Sequence, residues 1–199
     1  EQLEQALTLS HEIGDRSGEA TALTILGAVY WQQGRYGQAA EQLQQALTLL
    51  HEIGGNPIGE ARALDFLGLV YRGQGHYQQA TEHHQQALAL FREFGDRSGE
   101  ARALNGVGET LHATGQHREA RSQHTAALTV ATRLGDRYEQ ARAHNGIAHT
   151  YNATGQAVQE ARHHWHQALA LYTSLGVPEA EDVHTHLATL EQTPDQDGH

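Results

Sequence analysis

The sequence predicts an all-α protein built as a stack of two-helix repeats. Three observations lead there. The stretch from Gly95 to Leu134 recurs, with near-copies starting at Gly55, at Gly135 and upstream at Gly14. Gly34, Gly75, Gly115 and Gly155 hold one register at a spacing of about 40 residues, as do Ala46, Ala87, Ala127 and Ala168. Within each copy the apolar residues fall three to four apart, the spacing of one helical face. A fixed period of this length marks a stacked array whose units each bury an apolar face against their neighbours.

Residues 1–14 read as the second helix of a unit whose first half lies upstream, because EQLEQALTLSHEI nearly repeats residues 41–53, EQLQQALTLLHEI. An array has no reason to start there, which points to a longer parent protein. Four full units follow, at 15–54, 55–94, 95–134 and 135–176. Each opens on Asp15, Asn56, Asp96 or Asp136, side chains whose oxygen accepts a backbone N–H left free at a helix start. Pro57 after Asn56 takes the favoured first helical position. Glu19, Glu60 and Glu100 add negative charge to the first turn, where the helix dipole favours it.

The first helix of each unit spans about 17 residues and carries Leu23, Leu26 and Tyr30; Leu64, Leu67 and Tyr71; or Leu104, Val107 and Leu111. It stops at the Gly34-type glycine, read as the left-handed residue past a helix end. The second helix has a small-residue side, Ala39 and Ala46, Ala80 and Ala87, Ala120 and Ala127, Ala161 and Ala168, which lets the two helices of a pair approach closely. Leu47, Leu88, Leu128 and Leu169 are expected to seal each unit to the next. Gly14, Gly55, Gly95, Gly135 and Gly176 stop the second helix. Gly54 is one extra residue, and the turn containing Val158 is one residue longer than its counterparts; both insertions are cheap in a connecting loop. After Gly176, Pro178 opens a last helix over 177–191 with Val183, Leu187 and Leu190 turned to the spine. Residues 192–199 have turn formers and no apolar residue, and are expected to be a disordered tail.

The net charge is −11, with 13 arginines, no lysine and 24 acidic residues. Nucleic acid needs a basic face, and so does an anionic membrane surface, so neither is expected as a partner. Cysteine and methionine are absent too. That excludes disulfides, thiolate nucleophiles and thiolate metal sites, and the lack of lysine excludes a Walker-type phosphate site. No leader pattern and no spanning apolar run is visible, which predicts a cytoplasmic protein. There is no GxSxG motif, no phosphate loop and no paired carboxylates placed by spacing, so no enzyme and no cofactor is expected.

The combination of Leu26-Gly27, Tyr30, Gly34, Ala39 and Ala46 resembles the tetratricopeptide repeat. The second unit gives Leu67-Gly68, Tyr71, Gly75, Ala80 and Ala87. The third keeps Gly108, Gly115, Ala120 and Ala127 but has Val107 and Leu111; the fourth has Ile147 and Ala148 in place of Leu-Gly and keeps Tyr151. The family's usual proline near the end of the second helix is absent. The resemblance covers residues 1 to about 191 and implies a right-handed superhelical solenoid of antiparallel helix pairs. The 40-residue period with GDR at the junctions fits a subgroup with extended helices. Phrases such as GDRSGEARAL and EHHQQALALF resemble the C-terminal repeat domains of actinobacterial regulators of the antibiotic-regulatory, NTPase-coupled type.

This resemblance implies that the first helices line a concave surface where ligand peptides lie. Carried over by position, the lining is Thr21, Thr24, Ala28 and Trp31; then Arg62, Asp65, Leu69 and Arg72; then Arg102, Asn105, Glu109 and His112; then Arg142, Asn145, His149 and Asn152. Arg62, Arg102 and Arg142 form one ladder, Asn105 and Asn145 another. Arginine grips carboxylates with a two-pronged fork and asparagine can bond the backbone of an extended peptide. The partner expected is therefore a protein or an extended peptide with acidic or C-terminal carboxylate groups. The competing reading of the same arginines is that each bonds an acidic or carbonyl group on the next repeat. A second functional reading is assembly: a homo-oligomer, or docking on upstream domains of the same chain. The 16 histidines lack the spacing of a helical metal site. His84, His124 and Trp165 share a register with Leu43, so the imidazoles are read as ring-shaped filler. Trp31 is likewise read as a packing residue, and His112 and His149 as neighbours whose titration would make the surface pH-sensitive.

Overall fold

The computed structural model describes residues 5, 7, 9, 10, 12–155 and 157–192. The expectation of a disordered tail, and part of that for the leading half-repeat, falls outside these residues. Every described regular element is a helix: α1 (Arg16–Gln32), α2 (Tyr36–Ile53), α3 (Pro57–Gly73), α4 (Tyr77–Glu93), α5 (Arg97–Ala113), α6 (His117–Leu134), α7 (Arg137–Thr154), α8 (Val158–Leu175) and α9 (Glu179–Gln192). Each helix packs chiefly on its sequence neighbours, and successive first helices α1, α3, α5 and α7 also touch one another.

Local chemistry sets the ends. The backbone N–H groups of Gly18, Gly59, Gly99 and Glu139 donate to the side chains of Asp15, Asn56, Asp96 and Asp136 at 2.9–3.1 Å. Each such cap stabilises its helix by about 1 kcal/mol. Second helices stop at Gly135 and Gly176, whose φ values of 70° and 67° only glycine adopts without strain. The longer turn before α8 places Ala157 as its cap residue.

The spine follows the small-residue registers. Ala39, Ala46, Ala80, Ala87, Ala120, Ala127, Ala161 and Ala168 have no exposed surface, and Ala20, Ala61, Ala101 and Ala141 at the start of the first helices match them. With only a methyl at each point the helix axes come close, and the larger side chains fill the layers between. Three adjoining clusters result: Leu23, Leu43, Leu49, Leu50, Leu67 and Val70; then Leu64, Leu88, Phe91 and Leu104; then Trp165, Tyr172, Val183 and Leu187. Leu47 touches the first two clusters, Leu128 packs on the second and Leu169 on the third. Trp31 is half-buried against the first. Helix α9 closes the last cluster, and Tyr138 on α7 donates its hydroxyl to Glu179 of α9 at 2.7 Å.

Candidate functional site

Each unit places one large side chain of its second helix in the slot between its own first helix and the first helix of the next unit. In order these are Leu43, His84, His124 and Trp165, all with at most 1% exposure. The slot exists because glycine lines it. A Cβ on Gly68 or Gly106 would stand 2.6 or 2.5 Å from the His84 ring, and one on Gly108 or Gly146 would stand 2.7 or 2.3 Å from His124. At the last junction the walls are Ala148 and His186, and Trp165 stacks on His186 with centroids 5.2 Å apart.

A ring with an N–H cannot be buried without an acceptor. The first helix supplies it at one fixed position. His84 Nδ1 donates to Asp65 at 2.8 Å, His124 Nδ1 to Asn105 Oδ1 at 2.9 Å, and Trp165 Nε1 to Asn145 Oδ1 at 3.0 Å. Asn105 Nδ2 is in turn committed to the Glu139 carbonyl at 3.1 Å and its carboxylate at 2.8 Å. That fixes Oδ1 toward His124 and the imidazole proton on Nδ1.

This geometry corrects the expected site. Asn105 has no exposed surface and every polar atom of its side chain is used inside the protein, so it cannot bond a peptide in an open groove. Asp65 is 1% exposed, and Leu69 is buried. Asn145 is half-buried with its carbonyl oxygen taken. The asparagine ladder is a set of fixtures for buried rings. What remains on the first-helix surface is exposed Arg62 and Asn152 together with half-buried Arg72, Arg102, Glu109, His112, Arg142 and His149.

Charges on that surface are cross-linked between repeats. Arg102 Nε reaches back to Asp65 at 2.5 Å. Arg142 forks onto Glu109 with Nε at 2.5 Å and Nη2 at 2.9 Å, and its Nη1 is 3.5 Å from Glu139. Arg72 meets Glu109 from the other side at 3.0 Å, while exposed Arg62 stands 3.8 Å from Asp96. The arginine ladder thus bonds between repeats, but Arg102 and Arg142 turn to the preceding repeat and only Arg62 stands beside an acid of the next. Burial would raise the Asp65 carboxyl, but the His84 hydrogen bond and the Arg102 guanidinium outweigh it and hold the pKa at about 2. Glu109 is driven well below the carboxylate range against burial, by Arg142 and then Arg72. Glu139 goes the other way: burial raises it despite Arg142 and Asn105. Two guanidinium nitrogens, Arg72 Nε and Arg102 Nη2, have no protein partner among the described residues.

Beside the arginines runs a row of imidazoles. His117 Nδ1 lies 3.1 Å from His112 Nδ1; His112 and His149 centroids are 5.8 Å apart, and His149 and His186 are 4.7 Å apart. No group of three or more potential ligands is arranged for a metal among the described residues. Behind this row, burial depresses His124 to about 4; Arg142, His112 and His149 add to the effect, and Glu109 opposes it. An unfolded chain takes up this proton near pH 6.5 and the folded one near 4, so the contribution is whole above 6.5 and is lost as pH falls through that window. From pH 7 to pH 5 the loss from His124 alone is about 2 kcal/mol. His124→Phe is expected to flatten this part of a denaturation-versus-pH profile, and an unchanged slope would contradict the assignment.

The model of the tetratricopeptide repeat family matches residues 1–52, 59–133 and 99–174. A search of curated proteins finds no match. Among solved structures, BtubC (BKLC) from P. vanneervenii superposes with a TM-score of 0.76 at 18% identity, covering 96% of this chain and 79% of its own. Aspartyl phosphate phosphatase F from Bacillus subtilis gives 0.80 at 15% identity, covering 95% and 48%. A Rap protein complexed with Competence and Sporulation Factor gives 0.77 at 18%, covering 88% and 48%. The chain therefore spans about half the length of the latter two. Among the described residues no helix is long and apolar enough to cross a membrane.

Proposed function

From the premise that the chain belongs to the tetratricopeptide repeat family, we propose that this array is a protein-interaction scaffold holding an extended, carboxylate-bearing segment of a partner along its first helices. The observation that carries this reading is the arginine surface of α3 and α5. Arg62 is exposed with only a loose contact to Asp96, and half-buried Arg72 and Arg102 lie on the same surface, each paired with one carboxylate; the unpartnered Arg72 Nε and Arg102 Nη2 are shielded from solvent and take no part. In a chain with net charge −11, such donors are a local exception that favours an anionic partner group. The similar fold of the Rap protein, solved with Competence and Sporulation Factor, is compatible with a bound partner. The likeness to repeat domains of actinobacterial regulators supports placing the array in a bacterial regulatory protein, as its sensing part.

The test begins with a random peptide library selected on the full chain. Acidic peptides are expected to dominate. Arg62→Gln with Arg72→Gln is expected to weaken a selected peptide at least tenfold by calorimetry, with the far-UV spectrum unchanged. Equal affinity for parent and variant, or photo-crosslinks confined to α2, α4, α6 and α8, would refute the reading.

A further inference from the structure

A second basic surface lies on the other helix set. A shallow groove of about 500 Å³ runs along α6, lined by Arg118, Arg121, Ser122, Thr125 and Thr129, with Tyr151 of α7 at its edge. The Arg121 guanidinium sits 4.4 Å over the Tyr151 ring, whose stacking neighbour is His164 at 6.1 Å. No carboxylate lines the groove. Among the described residues, neither Arg118 nor Arg121 has an acidic side chain within ion-pair distance.

The other repeats show that this composition is particular to the third unit. At the positions of Arg118, Arg121 and Ser122 the first unit has Gly37, Ala40 and Glu41, the second Gln78, Thr81 and Glu82, and the fourth Gln159, Arg162 and His163. Between the second unit and the third the formal charge of these three positions changes from −1 to +2. A groove on α2 that shares part of this register, about 480 Å³, is lined instead by Glu19, Glu41 and Glu52, and its arginine, Arg16, is bonded to Glu52. The tyrosines differ in the same sense. Tyr71, which holds the Tyr151 register two units earlier, has its hydroxyl bonded by Gln44 at 3.2 Å. Thr125 holds the Gln44 register on α6, and its hydroxyl is turned to the Arg121 carbonyl at 2.8 Å. Thr129 likewise donates to the Thr125 carbonyl. The Tyr151 and Ser122 hydroxyls have no hydrogen-bond partner among the described residues.

We propose that the α6 groove binds a phosphate-type oxyanion, between the Arg118 and Arg121 guanidiniums with the Ser122 and Tyr151 hydroxyls as further donors. Two fixed positive charges match the charge of a phosphate monoester near neutral pH better than that of a single carboxylate. The stacking of Arg121 on Tyr151 holds one donor in place before the anion arrives. The site is independent of the arginine surface on α3 and α5, because it lies on a second helix and shares no residue with it.

The test is titration of the full chain, by amide-shift NMR and calorimetry, with two probes at constant ionic strength. One is inorganic phosphate; the other is a blocked alanine–phosphoserine–alanine tripeptide, with its unphosphorylated form as reference. Saturable shifts centred on Arg118, Arg121, Ser122 and Tyr151 are expected for at least one phosphate probe and none for the unphosphorylated tripeptide. A preference for the tripeptide identifies a protein-borne phosphate, and equal binding of both a free one. Arg118→Gln with Arg121→Gln should weaken binding at least tenfold. Ser122→Glu, which restores the residue of the first two units, should do the same without removing an arginine. Exposed Arg133 and Arg137 supply the control: their double glutamine variant should stay within twofold of the parent. If the control loses as much as the groove variant, or if no shift saturates, the site does not exist.

Discussion

Replacing Asp65 by alanine is expected to destabilise the array by about 3–5 kcal/mol, the usual effect of removing one partner from a buried ionic cluster. The carboxylate is 1% exposed and serves two groups at once, the His84 imidazole and the Arg102 guanidinium. Without it, His84 Nδ1 loses its acceptor inside a slot too narrow for compensation, and Arg102 is left half-buried with no counter-charge. Asp65→Asn is expected to cost less, because an asparagine already holds the equivalent ring one repeat later at Asn105. Urea denaturation followed by circular dichroism measures both. A loss below about 1 kcal/mol for the alanine variant would contradict the arrangement, given that exposed ion pairs contribute only about 0–1 kcal/mol.

Asn105→Ala is expected to lower stability by about 2–3 kcal/mol, since a buried group deprived of its partner costs about 1–3 kcal/mol and here His124 and Glu139 are both left short. Affinity for a peptide on the first-helix face should change little once folding is allowed for. This is the outcome that separates an interior fixture from a groove residue. Normal stability with weakened peptide binding would restore the asparagine to the surface and overturn the geometry described above.

The solenoid was legible because its causes are local and recur. Four caps, the stop glycines and the alanine faces each repeat in register, so one unit's reading is checked by three others. The ring positions were legible in part: alignment with Leu43 was enough to call His84 and His124 filler. The place of the asparagines is not legible from their own register alone. Set beside the second helix, Thr24, Asp65, Asn105 and Asn145 track Leu43, His84, His124 and Trp165: the polar acceptor is there whenever the ring carries an N–H. The room for the rings was written in Gly106 and Gly146, which stand where the second unit has Phe66. The arginine partners were harder. Arg102 turns to Asp65 on the preceding first helix, α3, whereas Arg142 turns to Glu109, because the site facing Arg142 is the neutral Asn105 and its fork settles where charge is available. That choice depends on which repeat carries the acid, and the repeat pattern alone is silent about it.

The joints between units are therefore chemically unequal. One is sealed by leucine, the next by an imidazole bonded to an ionised carboxylate that also meets a guanidinium, the third by a neutral imidazole and the last by indole stacked on imidazole. Since the stability of such an array is close to a sum over neighbouring contacts, mild acid acts on the His124 joint while the Asp65 joint keeps its charge down to about pH 2. The consequence is an acid response confined to one end of the stack: His144 and His149 of the fourth unit are held near 4 as His124 is, so acidification weakens the contacts of the third and fourth units before the Asp65 joint loses its charge.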